Sequence, residues 1–449
     1  MKSIYKALIL FSVVPLSACG SFASKNMTSS SDSSVLSIDS IKMLRSPENA
    51  DHSYSFQDLN SSGYKEFKTK IKVFAEKISE SFVKREHEND NIVISPASIE
   101  LALGLAVKCS NGQTREEILN AFDVDYETFN NYYKIFYNTS MFKQTYEGGP
   151  QLSYTNSLWF DNDLQLHDDC LDELKDDYYS YSYEVDFDGD NKAANQAIQQ
   201  FINEKTNGLL NPDLDISTQT IFALFNTLYL KDLWWNKYHE ESLGLAPENY
   251  TFTNFDGSVS PKRLLNGFYH DGRVMETDDY SAFYTSSQHC TIYFLKPKNN
   301  KDVNQIFNQT NIDYVLDYSH YQTKDDEKLE RYHTNCVFPE IEAQHKLDLT
   351  EMMRDDFDMK SLFTYECNMS TITPNPAICT GITHESKLTI NQQGIEGAAY
   401  TGILVAGDPG PDEYTDVYET FVVDEEFAFF VTRDSAILFS GIVSSIDTY

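Results

Sequence analysis

The sequence predicts an α+β fold built as one large domain. Helix-periodic segments fill the first half of the chain, and strand-like segments dominate the last third. No repeat, low-complexity run or linker divides the chain after residue 65. Length alone would suggest two or three domains, but an apolar fraction of 41% over 449 residues can supply one sizeable core.

The elements follow in order. Lys2 and Lys6 flank the apolar run Ala7 to Val14, which is too short to span a bilayer and is followed by small residues. Residues 1–18 therefore read as a secretory signal peptide. Leu16-Ser17-Ala18-Cys19 has the form of a bacterial lipobox, in which Cys19 would be lipidated and hold an exported protein on the membrane. Residues 19–62 are rich in Ser, Asn and Asp and read as a flexible tether, free or lipid-anchored. The folded domain is expected over 63–449.

Phe67, Ile71, Phe74, Ile78 and Phe82 repeat at helical spacing and give a first amphipathic helix. Residues 94–120 read as helical after a short strand. Leu152 to Phe160 is strand-like. Ala193 to Thr206 reads as a helix closed by Asn207-Gly208. Ile221 to Leu230 is continuously apolar, as a strand buried on both faces should be. Further strands are expected at Thr291–Leu295, Thr334–Phe338, Lys387–Asn391, Phe427–Thr432 and Ala436–Val443.

Catalysis by the chain itself is not indicated, since G-x-S-x-G, H-E-x-x-H and Walker motifs are absent. Asp186-x-Asp188-x-Asp190 resembles the start of a calcium loop, but Asn191 replaces the glycine and Ala197 stands where a bidentate Glu belongs, so no metal is expected. No cofactor is expected either. Beyond Cys19, six cysteines remain (Cys109, Cys170, Cys290, Cys336, Cys367 and Cys379), with no C-x-x-C pair. An exported chain could form disulfides, but the sequence does not choose a pairing. A net charge of −34 argues against nucleic acid or anionic membrane surfaces as partners and would steer basic molecules toward the chain.

The most informative segment is His384 to Gly407. Its alternating start meets Gly394, and small residues follow with neither helix period nor turn dipeptide. Ile395, Gly397, Ala399, Thr401, Ile403 and Val405 share one strand phase, all apolar or small; Glu396, Ala398 and Tyr400 fall on the other. Such a segment suits a loop that can become a strand.

Other stretches point the same way. They are Ile94-Ser95-Pro96-Ala97-Ser98-Ile99, Asn111 to Leu119 with its G-x-T-R-E-x-I, and Glu204-Lys205-Thr206-Asn207-Gly208. Phe225 to Lys231 with Trp234, Val337 to Ile341, and Leu438-Phe439-Ser440-Gly441 complete the set. In this order, from about Phe67 to Asp447, they resemble the motifs of the serpin family of serine protease inhibitors.

The resemblance implies a serpin fold of about nine helices and three sheets, with an exposed reactive-centre loop at about 394–422. It implies a monomeric suicide inhibitor of serine or cysteine proteases. The hinge would be Gly394, Ile395, Glu396, Gly397, Ala398 and Ala399. The scissile bond would lie about fourteen residues after the hinge glycine, at Asp408-Pro409. Nearby bonds at Ala406 and Gly407, or a later one at Tyr414-Thr415, remain open. Ser95, Ser98, Asn226 and His384 would form a buried polar cluster where two strands must part, with Trp234 above it. Gln392, Gly397 and Tyr400 depart from the family's hinge pattern. The alternative reading is therefore a non-inhibitory relative serving as a surface binding, adhesion or carrier protein.

Overall fold

The structure, a computed structural model of the chain, describes residues 6–13, 41–48, 54–144, 149–234, 243–396 and 414–447. The first half contains β1 (Lys6–Val13), β2 (Lys42–Arg45), α1 (Phe56–Asn60), α2 (Ser62–Glu86), β3 (Ile92–Ile94), α3 (Pro96–Cys109), α4 (Gly112–Phe122), α5 (Tyr126–Ser140), β4 (Phe142–Lys143), β5 (Gln151–Asp161), α6 (Asp168–Asp177), β6 (Ser180–Val185), α7 (Asn191–Lys205) and β7 (Thr220–Leu233). The second half contains β8 (Gly244–Leu245), β9 (Leu265–Asp271), β10 (Met275–Glu276), β11 (Tyr280–Ser286), β12 (Thr291–Pro297), α8 (Val303–Ile306), α9 (Gln309–Leu316), β13 (Lys324–Asp325), β14 (Glu330–Phe338), β15 (Ile341–Asp348), α10 (Thr350–Asp355), β16 (Ala377–Asn391), β17 (Gly394–Glu396), β18 (Thr415–Val422), β19 (Phe427–Arg433) and β20 (Ala436–Val443). Helices early and strands late make the predicted α+β fold, with ten helices and three sheets among the described residues.

Local signals explain the helices. In α2 every predicted apolar position, Phe67 to Phe82, is buried, and the Ser61 side chain caps its start by accepting from the Tyr64 N–H. Ser95 caps α3 with Pro96 in the first turn, where a missing N–H costs nothing. The helical region expected over 94–120 is two helices, broken at Ser110 and Asn111, where Gly112 takes a φ of +52°. Asp190 caps α7 by accepting from the Ala193 N–H.

The large sheet orders its strands β1-β16-β17-β7-β5-β6-β2, with β15 on β16 and β4 on β5. The six-stranded sheet runs β10-β11-β12-β19-β20-β3, and the five-stranded sheet β13-β14-β9-β8 with β18 on β14. Ile221 to Leu230 of β7 is apolar apart from Asn226 and Thr227 because both faces of the strand are covered. Phe222, Leu224, Leu228 and Leu230 join the main core, whereas Ala223 and Phe225 join a second core with Trp159 and Phe201 of α7.

Two boundaries differ from expectation. The tether expected over 19–62 is in part built into the fold: β2 pairs antiparallel with β6, and α1 follows. Arg45 reaches Asp168 at 2.9 Å and Asp172 at 2.7 Å on α6, and Leu44 packs on the main core. A four-residue strand held by distant charges leaves no periodic signal. Likewise, the stretch 394–422 is not loop throughout. Its first three residues are β17, and Thr415 to Val422 pair in parallel with β14, with Phe421 buried.

Candidate functional site

Two long strands, β7 of 14 residues and β16 of 15 residues, flank a slot in the large sheet. Two short strands fill it. β1 pairs in parallel with both neighbours, Leu10 standing opposite Leu224 and Ile382. β17 pairs antiparallel with both, Ile395 standing opposite Ile390 and Asp232. Ile395 is 1% exposed. A Cβ at Gly394 would lie 2.1 Å from the Asp232 carbonyl oxygen, so the backbone approach here requires glycine.

The described part of this segment ends at Glu396, and the chain is again described from Tyr414. Gly397, Ala398, Ala399, Ala406, Gly407, Asp408 and Pro409 lie outside the described residues, as does Cys19. Tyr414 donates to Asp326 and lies under Lys324, 4.7 Å from its ring centroid. The Thr415 N–H donates to the Leu329 carbonyl at 2.7 Å. The Tyr414-Thr415 bond therefore sits where the chain is already anchored into β18.

Above the slot, the Trp234 indole Nε1–H donates to the Asn391 carbonyl at 2.8 Å, and its ring lies 5.8 Å from that of Phe338. Asp232, 1% exposed, accepts the His289 N–H at 2.7 Å and holds His289 Nδ1 at 2.7 Å. His289 in turn stacks on Phe142 at 4.4 Å.

Below lies the polar cluster. His384 Nε2 accepts from the Ser95 N–H at 3.1 Å and stands 2.5 Å from the Ser386 hydroxyl. The Ser98 hydroxyl donates to Asn226 Oδ1 at 2.8 Å, and Asn226 Nδ2 donates to Asn156 Oδ1 at 2.9 Å. Asn156 passes the chain on to the Tyr178 carbonyl and the Tyr133 hydroxyl. The Ser95 hydroxyl anchors the group on the Leu438 carbonyl at 2.7 Å. The four predicted residues thus form two linked halves, one on each side of the slot. Ser12 of β1 stands in register with both His384 and Asn226. Trp234 is separate from this cluster and belongs to the top of the slot.

Burial, with His345 nearby, pushes His384 down to about 3, so it is neutral. Asn156 and Ser386 were not foreseen. The available signals were an amide within the strand-like stretch Leu152 to Phe160 and a serine two residues from His384 on the same strand face.

Elsewhere, carboxylate oxygens of Asp161, Asp186 and Asp188 lie within 4.8 Å of one another and could hold a cation. Asp161 already accepts the Phe187 N–H and Asp186 the Gly189 N–H, so these groups also serve the turn.

Comparison with known proteins agrees with this geometry. The family model described as "Serpin (serine protease inhibitor)" matches residues 69–446. A serpin-like protein of Methanosarcina acetivorans is 26% identical over 373 residues, covering 80% of this chain and 82% of its own. Among solved structures, Serpin48 of the insect Tenebrio molitor superposes with a TM-score of 0.66 at 18% identity, covering 85% of this chain and 98% of that one. Human thyroxine-binding globulin superposes with a TM-score of 0.67 at 16% identity, covering 86% and 99%. These superpositions speak for the fold.

Proposed function

The chain belongs to the serpin family, and from that membership we propose that it is a suicide inhibitor of serine or cysteine proteases. The protease nucleophile attacks the carbonyl carbon of the scissile bond. The peptide C–N bond breaks, the amine leaves with a proton from the protease's base, and an acyl-enzyme forms. The freed loop then inserts between β7 and β16, carrying the protease with it and distorting its active site before water can release the ester or thioester.

One observation carries this reading. Gly394, Ile395 and Glu396 are seated between β7 and β16, antiparallel to both, which is the direction an inserting loop must take. The slot also accepts a longer strand, since β1 lies in it. For the loop to follow, β1 must leave. Removal of residues 1–18 as a signal peptide does this.

Strand length favours one region for the bond. From Ile395 through Asp408 is 14 residues, matching the 14 of β7 and the 15 of β16. A strand ending at Tyr414 would overrun both neighbours. The scissile bond accordingly lies between Val405 and Pro409. We place the mature protein outside the cell as a monomer, tethered through a lipid on Cys19.

Incubation of the chain from Cys19 onward with a panel of serine and cysteine proteases tests the reading. An SDS-resistant complex with a new N-terminus between residues 406 and 409 is expected. Cleavage with no complex points instead to the non-inhibitory binding role.

A further inference from the structure

Two strands share the slot between β7 and β16, and they run toward each other. β17 descends antiparallel to β7, from Gly394 opposite Leu233 to Glu396 opposite Lys231. β1 ascends parallel to β7, from Ala7 opposite Thr220 to Val13 opposite Thr227. Across the slot, Glu396 stands opposite Thr389 of β16, and Val13 opposite Glu385. Three positions separate the two ends, Leu228 to Leu230 on β7 and Ser386 to Leu388 on β16. Below that gap β1 pairs with both edges of the slot. Backbone N–H and C=O groups on those edges need partners, and β1 supplies them. The mostly apolar run Ala7 to Val14 suits a strand set between two neighbours in a covered sheet.

We propose that Lys6–Val13 is an intramolecular blocking strand: a chain that keeps residues 1–18 is cleaved by proteases without trapping them, and loss of that leader arms it. The inference rests on the inhibitor reading above and adds a control to it. A strand continuing from Glu396 at one residue per position meets Val13 after three residues. A protease carried by it moves roughly 10 Å, against about 45 Å for a strand as long as β7. Trapping also requires insertion to outrun release of the acyl group by water. β1 is already seated, and its covalent link to the domain keeps it at high effective concentration. Each of its paired residues must be peeled away before the loop can advance, so release of the acyl group wins. A chain that folds with its leader attached therefore spares the proteases of its own compartment, and the leader-free chain does not.

The test compares the full chain, made by cell-free synthesis with its leader verified by mass, the same chain carrying Leu10→Pro, and the chain from Cys19 onward. A proline at position 10 removes a ladder N–H from the middle of β1. Hydrogen exchange reads the strand itself. The amides of Leu8 to Val13 should exchange roughly a hundredfold more slowly in the full chain than in a free peptide of residues 1–18. Leu10→Pro should remove that protection. Against a panel of serine and cysteine proteases, covalent complex per loop cleavage should be roughly tenfold lower for the full chain than for the chain from Cys19 onward. Leu10→Pro should restore it. Exchange as fast as in the free peptide, or equal trapping by the full and shortened chains, overturns the proposal. If neither chain traps any protease, the inhibitor reading fails by itself and melting temperatures decide the blocking strand. A rise on loop cleavage in the shortened chain but not in the full one supports it, and equal changes in the two overturn it.

Discussion

Trp234 Nε1–H donates to the Asn391 carbonyl at 2.8 Å, tying the end of β7 to the end of β16 directly above the slot. On the proposed mechanism the loop enters between these two strands. The bond is made with β1 and β17 already seated between them, so it braces the top of the slot. Trp234→Phe keeps the packing on Phe338 and removes the donor. About 1 kcal/mol of stability should be lost. The half-life of the inhibitory form at 37 °C should shorten, as read by residual complex formation over time. An unchanged half-life would show that this brace does not set the lifetime of the inhibitory form.

Ile395 is the first loop side chain to be buried in the slot. Ile395→Glu would place a carboxylate there without a partner, at a cost of several kcal/mol. Loop cleavage should proceed at the wild-type rate while the SDS-resistant complex disappears. The stoichiometry of inhibition measures this.

Gly394 lies against the backbone of β7. Because an added Cβ would stand 2.1 Å from the Asp232 carbonyl oxygen, Gly394→Ala should push β17 out of the sheet. A loss of about 1–3 kcal/mol is expected, seen as a lower melting temperature, together with more cleaved chain per complex formed.

His384 gives a pH signature. Its folded value near 3 lies below the unfolded value of about 6.5. The unfolded chain therefore binds a proton that the folded chain refuses. The stability it contributes is complete above pH 6.5 and falls with pH until about 3. Between pH 6.5 and 5 the loss amounts to about 2 kcal/mol. In His384→Asn that part of the slope should vanish. Denaturant midpoints for the two chains over this window check it, and parallel profiles would contradict the assignment.

Much of this was legible in the sequence, for physical reasons. Burial on both faces made β7 visible as the apolar run Ile221 to Leu230, interrupted only by Asn226 and Thr227. The repeat from Phe67 to Phe82 is the buried stripe of α2. Of the segment that the sequence marks as able to join a sheet, Gly394 to Glu396 is seated as β17, and the small residues after it lie outside the described residues. What escaped notice depended on distant partners. Lys42 to Arg45 becomes a strand only because β6 offers an edge and α6 offers Asp168 and Asp172. Thr415 to Val422 read as loop because its exposed face carries Thr, Asp and Tyr, and its pairing partner, β14, lies far back in the chain. Asn156 and Ser386 are single polar residues whose meaning comes from Asn226 and His384 across the fold.

The central claim is that the loop enters the slot between β7 and β16. The most direct test is the melting temperature of the chain from Cys19 onward, before and after cleavage between Val405 and Pro409. Insertion of a full strand predicts a rise of tens of degrees in the cleaved chain. A cleaved chain that melts where the intact chain does would contradict it.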